Sequence, residues 1–366
     1  MTVRTTEAAN TWPWSATVCP WQGAARDRAE LSVRFGSDEQ RPRAGLPREG
    51  EQGRAGPDQS SSYTSPDVRA RVEDVVQRLG YQADPSARGL RTQRTRTLGL
   101  VVPDITNPFN TSIAAGMQEI ALPHEYLTVV CEAPMDGPHL PAVIRQLVAR
   151  RIDGLVIGRY GVTRRDLEKV VASGSKLVRL GGRLETALGD VVRAAETEGM
   201  HDLVSHLVGR GYRRIAFIGG TPGVEPGEER FAGYRKALES AGLPVPNELV
   251  VWTGFTREGG RAGAAAVLDA AQRPDAVVCA NDLIAIGALD TARAAGLRVP
   301  HDVAITGYDD IEAASLVSPA LTTVLNPARE IGRSAAQLLV DRLDGDGTGT
   351  AREIVLAHRL VPRESA

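Results

Sequence analysis

Four arginines, Arg88, Arg91, Arg94 and Arg96, fall within nine residues with no acid between them. A run of this kind suits phosphate neutralisation and approach to a minor groove; the alternative is a solvated basic linker. Leu90 stands among these arginines, and an exposed leucine in such a setting can act as an apolar wedge that unstacks a base step. A second set of residues suits a small polar molecule. DITNPFN carries Phe109 and Asn110, GEERFAGY carries Arg230, GFT carries Phe255, CANDLIAIGA carries Asn281 and Asp282, and TGYDD carries Asp309 and Asp310. An arginine offers a fork of donors and an aspartate accepts pairs of hydroxyls, so this chemistry fits a polyol or a small anion. Each residue has a plainer role too. Asn281, Asp309 and Asp310 could cap helices, Asp282 is expected to cap the helix that follows it, Arg230 could pair with Glu228 or Glu229, and Phe109 and Phe255 could be core.

The elements that must position these side chains follow from the hydrophobic pattern. Strands are expected at 98–102, 126–131, 154–158 and 177–180, alternating with helices that start near Phe109, Pro138 and Thr163. A second series has strands at 214–219, 248–252, 276–280 and 303–307, with helices near 226–241, 257–271, 282–295 and 328–343. Strands alternating with helices make parallel βαβ units, so the fold class is α/β with two Rossmann-like lobes. Ligands of open parallel sheets sit beyond the C-terminal strand ends, which is where the candidate residues stand. Upstream, Ser65 and Pro66 start a helix over 65–79 and Gly80 ends it, and Val68, Val72, Val75, Val76 and Leu79 share one face.

Composition narrows the function. The chain has 366 residues, 42% of them hydrophobic, and a net charge of -2, so any nucleic-acid contact rests on a local patch and not on the whole-chain field. No apolar run reaches a membrane span, and the N-terminus carries no basic segment followed by an apolar one, which points to a cytoplasmic protein with no membrane partner. Cys19, Cys131 and Cys279 read as reduced thiols, and the six histidines show no metal-ligand spacing. GGTPGVEPGEE lacks a P-loop lysine and the spacing of a dinucleotide fingerprint. No catalytic residue, metal or cofactor is therefore expected. A transported-solute receptor would share the two lobes but would need a secretion signal and no arginine connector.

Residues 65–108, SPDVRARVEDVVQRLGYQADPSARGLRTQRTRTLGLVVPDITNP, resemble the junction of the LacI/GalR (lactose-repressor-like) transcription regulators, and the resemblance extends over about 58–362. It implies a periplasmic-binding-protein-like sensor joined to a helical DNA-binding headpiece whose last helix is 65–79. It also implies a hinge helix that inserts Leu90 into the operator, with Arg88, Arg91 and Arg94 as DNA contacts. By the same resemblance, Arg230, Asn281 and Asp309 match residues that hydrogen-bond a sugar-like effector, and Phe109 and Phe255 match residues that pack on it beside Asn110. The implied protein is a homodimeric repressor on a pseudo-palindromic operator. The expected layout is a disordered tail at 1–57 and a headpiece remnant with hinge at 58–97. The sensor at 98–362 is expected to divide into lobe 1 (98–195 plus a crossover segment at 310–325) and lobe 2 (196–309 and 326–362).

Three departures from the family pattern stand out. Residues 1–57 do not read as a helix-turn-helix; they fit either an out-of-frame or mis-started translation of a GC-rich gene or a lineage-specific tail. The second account leaves a cytoplasmic binding protein that no longer binds DNA. LGGR places Gly181 and Gly182 where many sugar sensors carry an aspartate, and VVRAAETEG offers Ala194 and Ala195 where an acidic-plus-amide pair is usual. The first lobe therefore lacks expected hydroxyl acceptors. Pro123 is expected to end the first sensor helix early.

Overall fold

The computed structural model describes residues 94–134, 139–158, 161–182, 188–245, 247–345 and 349–366, with Ala70, Arg71, Asp74, Val75 and Arg78 besides. The expected tail at 1–57 and the connector residues Arg88, Leu90 and Arg91 lie outside the described residues. The five isolated residues are helical, within the expected 65–79 helix; Asp74 and Arg78 pair at 2.7 Å and Val75 is exposed.

The compact unit Glu73–Ala366 contains both lobes. In lobe 1, β1 (Thr97–Val102), β2 (Leu127–Glu132), β3 (Gly154–Gly158), β4 (Lys176–Leu180), β5 (Asp190–Ala194) and β11 (Glu353–Leu356) form one sheet in the order β11-β5-β4-β3-β1-β2. Every pairing in it is parallel. β1 shows why such strands read as unbroken apolar runs: Leu98 and Leu100 face one core and Val101 the other, with helices over both faces. One face is covered by α1 (Pro108–Ala121) and α9 (Ala328–Asp344), the other by α2 (Leu140–Ala149) and α3 (Arg164–Ala172). α1 and α9 approach closely because a Cβ on Gly116 would meet the Arg329 carbonyl oxygen at 1.9 Å and one on Gly332 the Ile113 oxygen at 2.0 Å. α1 stops at Ala121, where Pro123 enters a 3-10 turn, Leu122–His124, closed by left-handed Glu125.

Lobe 2 has a parallel sheet in the order β7-β6-β8-β9, from β6 (Ile215–Gly219), β7 (Val250–Trp252), β8 (Ala276–Cys279) and β9 (Ala304–Thr306). Its helices are α4 (Glu196–Gly209), α5 (Gly227–Ser240), α6 (Arg257–Leu268), α7 (Asp282–Ala294) and the short α8 (Glu312–Leu316). β10 (Thr323–Leu325) and β12 (Arg359–Val361) add an antiparallel pair. The chain crosses between lobes after Ala194, after Leu325 and after Leu356.

Those crossings correct the expected allocation of the C-terminal segments. Residues 310–325 belong to lobe 2, since Ala314, Leu321 and Val324 join its core. Most of 326–362 belongs to lobe 1: Ile331, Ala335, Leu338 and Leu339 of α9 pack on Leu98, Ile113 and Met117, and β11 pairs with β5. Only β12 returns to lobe 2. Lobe 1 is further tied together by Asp190, fully buried, which accepts from Arg342 at 2.6 and 2.8 Å and from Arg352 at 3.0 Å.

Candidate functional site: a cleft between the lobes

The loops after β1 and β6–β9 enclose a cleft of about 240 Å³ in which all six expected effector residues meet. Lobe 1 supplies Phe109 and Asn110; lobe 2 supplies Arg230, Phe255, Asn281 and Asp309. Asn107 makes the first pair possible. Its side chain accepts from the Phe109 backbone N–H at 3.0 Å, Pro108 takes the first helical position, and α1 starts with Phe109 turned to the cleft. Asn110 is buried and donates to the Asp104 carbonyl at 2.8 Å, bracing the loop it follows.

On the facing lobe, Phe255 lies against the chain at Gly220, where a Cβ would come within 2.1 Å of its ring. Only glycine leaves space for that aromatic wall. Asn281 caps α7: its side-chain oxygen accepts from the Ile284 N–H at 2.9 Å, and its nitrogen donates to the Phe255 carbonyl at 3.4 Å. The expected cap, Asp282, has a different task. It accepts from Ile311 N–H at 2.8 Å and Thr323 Oγ1 at 2.6 Å, fastening the loop after β9; burial, then the nearby Asp309, push its carboxyl well up. Asp310 pairs with Arg363 at 2.6 Å, and neither it nor Asp309 is the cap of α8, a position held by Ile311.

Arg230 organises the floor. It is 2% exposed and spans three partners: Glu196 at 2.8 Å through Nε, Asp309 at 3.0 Å through Nη2, and the Ala280 carbonyl through Nη1. Its guanidinium also lies 4.0 Å from the centre of the Tyr308 ring. It therefore does not pair with Glu228 or Glu229. Despite burial, its two carboxylates raise its affinity for the proton. Asp309, held at φ 107, is pushed up to about 6, chiefly by burial, with Arg230 opposing the shift. Asn326 completes the group, donating to Asp309 at 3.2 Å and to Glu196 at 3.2 Å. Glu196 and Asn326 went unnoticed in the sequence, because their roles depend on standing at two of the three crossings between lobes.

Arg94, the one DNA-contact candidate among the described residues, is fastened to the end of α9. It lies 3.3 Å from Asp344 and also donates to the Leu343 carbonyl. Cationic donors are favoured at a helix C-terminus, where the last carbonyls are unsatisfied. Cys131 and Cys279 are free thiols, Cys279 buried. Among the described residues there is no group of His, Cys, Asp and Glu arranged to hold a metal, and no helix long and apolar enough to cross a membrane.

Two parallel-sheet lobes, crossed three times and closing on a cleft with aromatic walls and a charged floor, define a periplasmic-binding-protein-like sensor. The family model for the periplasmic binding protein-like domain matches residues 204–366. The ribose operon repressor of Haemophilus influenzae is 30% identical over 305 residues, covering 83% of this chain and 91% of that protein. A solved complex of the transcriptional regulator CelR with cellobiose superposes with a TM-score of 0.69 at 31% identity, covering 84% of this chain and 93% of the other. A LacI family transcriptional regulator from Enterococcus faecium, solved with bound ribose, gives 0.66 at 29%, covering 74% and 98%. The chain belongs to the LacI/GalR family of transcriptional regulators.

Proposed function

We propose that this chain is a cytoplasmic, homodimeric repressor that binds a pseudo-palindromic operator and responds to a small, polar, sugar-like effector, without catalysing a reaction. The observation that carries this reading is the convergence of Phe109, Asn110, Arg230, Phe255, Asn281 and Asp309 on one cleft between two lobes. The aromatic rings take the apolar faces of a ring-shaped ligand; the amides, the carboxylate and the guanidinium take its hydroxyls. A two-fold dimer matches a two-fold operator. β2 is an edge strand with Leu127 and Val130 exposed beside exposed Leu122, which suits a subunit contact. Arg88, Leu90, Arg91 and Arg94 supply the DNA contacts of the hinge, with Arg94 also anchoring the connector to α9.

Effector binding in the cleft alters the angle between lobes, and the α9 end that holds Arg94 carries that change to the hinge. The test is salt-dependent DNA binding by the full chain on the promoter region beside its gene, with and without a panel of sugars. Specific binding that a sugar modulates is the expected result. Sugar binding without any specific DNA binding supports the second reading instead, a two-lobed binding protein that no longer reads DNA, which residues 1–57 favour by not resembling a helix-turn-helix.

A further inference from the structure

Beside the cleft lies a side pocket of about 80 Å³ that shares Phe109 and Pro226 with it. Its two walls differ in character. Lobe 1 presents Leu180, Gly181, Val192 and Ala194, with Arg193, whereas lobe 2 presents Glu196, Glu225 and Glu229. Gly181 and Ala194 fall at two of the departures from the family pattern. The wall that loses its acceptors thus faces one that carries three. A Cβ on Gly181 would stand 3.7 Å from Glu225 Oε2, so an aspartate at 181 would add a second carboxylate close to that of Glu225.

Among the described residues lining the cleft and its side pocket, five are carboxylates (Asp104, Glu196, Glu225, Glu229 and Asp309) and two are arginines. Arg230 already spans Glu196, Asp309 and a carbonyl, and Arg193 pairs with Glu353 at 2.7 Å. No described cation lies within ion-pair distance of Glu229. Burial, then repulsion from Glu225 and Glu196, raise its carboxyl to about 7. A cation placed there would meet a carboxylate with an apolar wall behind it, where Coulomb attraction is screened less than in water.

We infer that the effector is an amine-bearing sugar-like molecule whose ammonium group sits in the side pocket against Glu229, with Glu225 as its neighbour. The inference rests on the proposed sensor reading and narrows it. Phe109 and Phe255 hold the ring, Asn281 and Asp309 meet its hydroxyls, and the amine distinguishes it from a neutral sugar.

Calorimetric titration of the full chain at pH 7.5 tests this with matched probes: hexoses, pentoses and disaccharides, their 2-amino counterparts, and the N-acetyl forms as uncharged controls of larger size. At least one amine is expected to bind tenfold or more tighter than both its neutral parent and its N-acetyl form. Glu229→Gln should abolish that preference while leaving the weaker binding of the parent sugar intact, and that retained binding shows that the variant folds. Glu225→Gln should reduce the preference by a smaller factor. Neutral sugars binding as tightly as their amines would overturn the inference and leave the sensor reading standing. Binding by none of the probes would overturn both.

Discussion

Asn326 donates to Asp309 Oδ1 at 3.2 Å, and the same oxygen accepts from Arg230 at 3.0 Å. The pairing joins the first residue after β10, on the crossing into lobe 1, to the charged floor of the cleft in lobe 2. α9 begins two residues later and ends at the carbonyl and carboxylate that hold Arg94. One helix therefore has the floor of the cleft at its start and Arg94 at its end.

Arg230→Met tests the floor. The variant leaves Glu196 and Asp309 buried without their counter-charge, and breaking a buried pair by removing one partner costs about 3–5 kcal/mol. We expect a lower unfolding midpoint in urea at pH 7.5 and loss of effector binding. Full stability would show that the three groups are not coupled as described.

Glu229 makes a prediction about pH. Its carboxyl titrates at about 7 in the folded chain, above its usual 4.5, so the folded state binds more protons than the unfolded state between these values. Stability is then present at low pH and falls as pH rises through the window from about 4.5 to about 7. Glu229 is only half-buried, which reduces the effect to the order of 1–2 kcal/mol. Thermal melts of the wild type and Glu229→Gln between pH 5 and 8 should diverge, with the variant gaining relative stability as pH rises. Parallel profiles would exclude a raised carboxyl.

Arg94→Ala tests whether the connector is fastened through α9. The pair with Asp344 is half-exposed, so its loss should change global stability by less than about 1 kcal/mol. Effector affinity of the DNA-free protein should be unchanged. The ratio of DNA affinities with and without effector should shrink about fivefold, equivalent to about 1 kcal/mol of coupling. An unaltered ratio would place the coupling elsewhere.

How much of this site is legible before folding depends on how local each signal is. Phe109, Arg230, Asn281 and Asp309 follow strand ends in order, and a strand end in a parallel sheet points to the cleft without further information. The role of Asn281 as a cap is equally local. Glu196 and Asn326 carry no such mark, because they act only where the chain crosses between lobes. The allocation of 326–362 fails for a related reason. The apolar stripe of α9 demands a sheet but does not say which, and EIVL at 353–356 is four residues whose partner, β5, lies about 160 residues back. Gly181 and Ala194 are visible as departures, yet that Glu225 and Glu229 stand opposite them is tertiary information.

The connector makes its own prediction, and two substitutions separate its two kinds of chemistry. Arg91→Ala removes a charge: affinity for every DNA sequence should weaken, and the slope of log affinity against log salt should fall by about 1, as expected for one lost phosphate contact. Leu90→Ala removes a wedge and no charge. Specific binding to the promoter region should drop towards the non-specific level while the salt slope of non-specific binding and the effector affinity stay as they were. Retained operator affinity in Leu90→Ala would contradict the wedge, and a salt slope unchanged in Arg91→Ala would return the arginine run to a solvated linker.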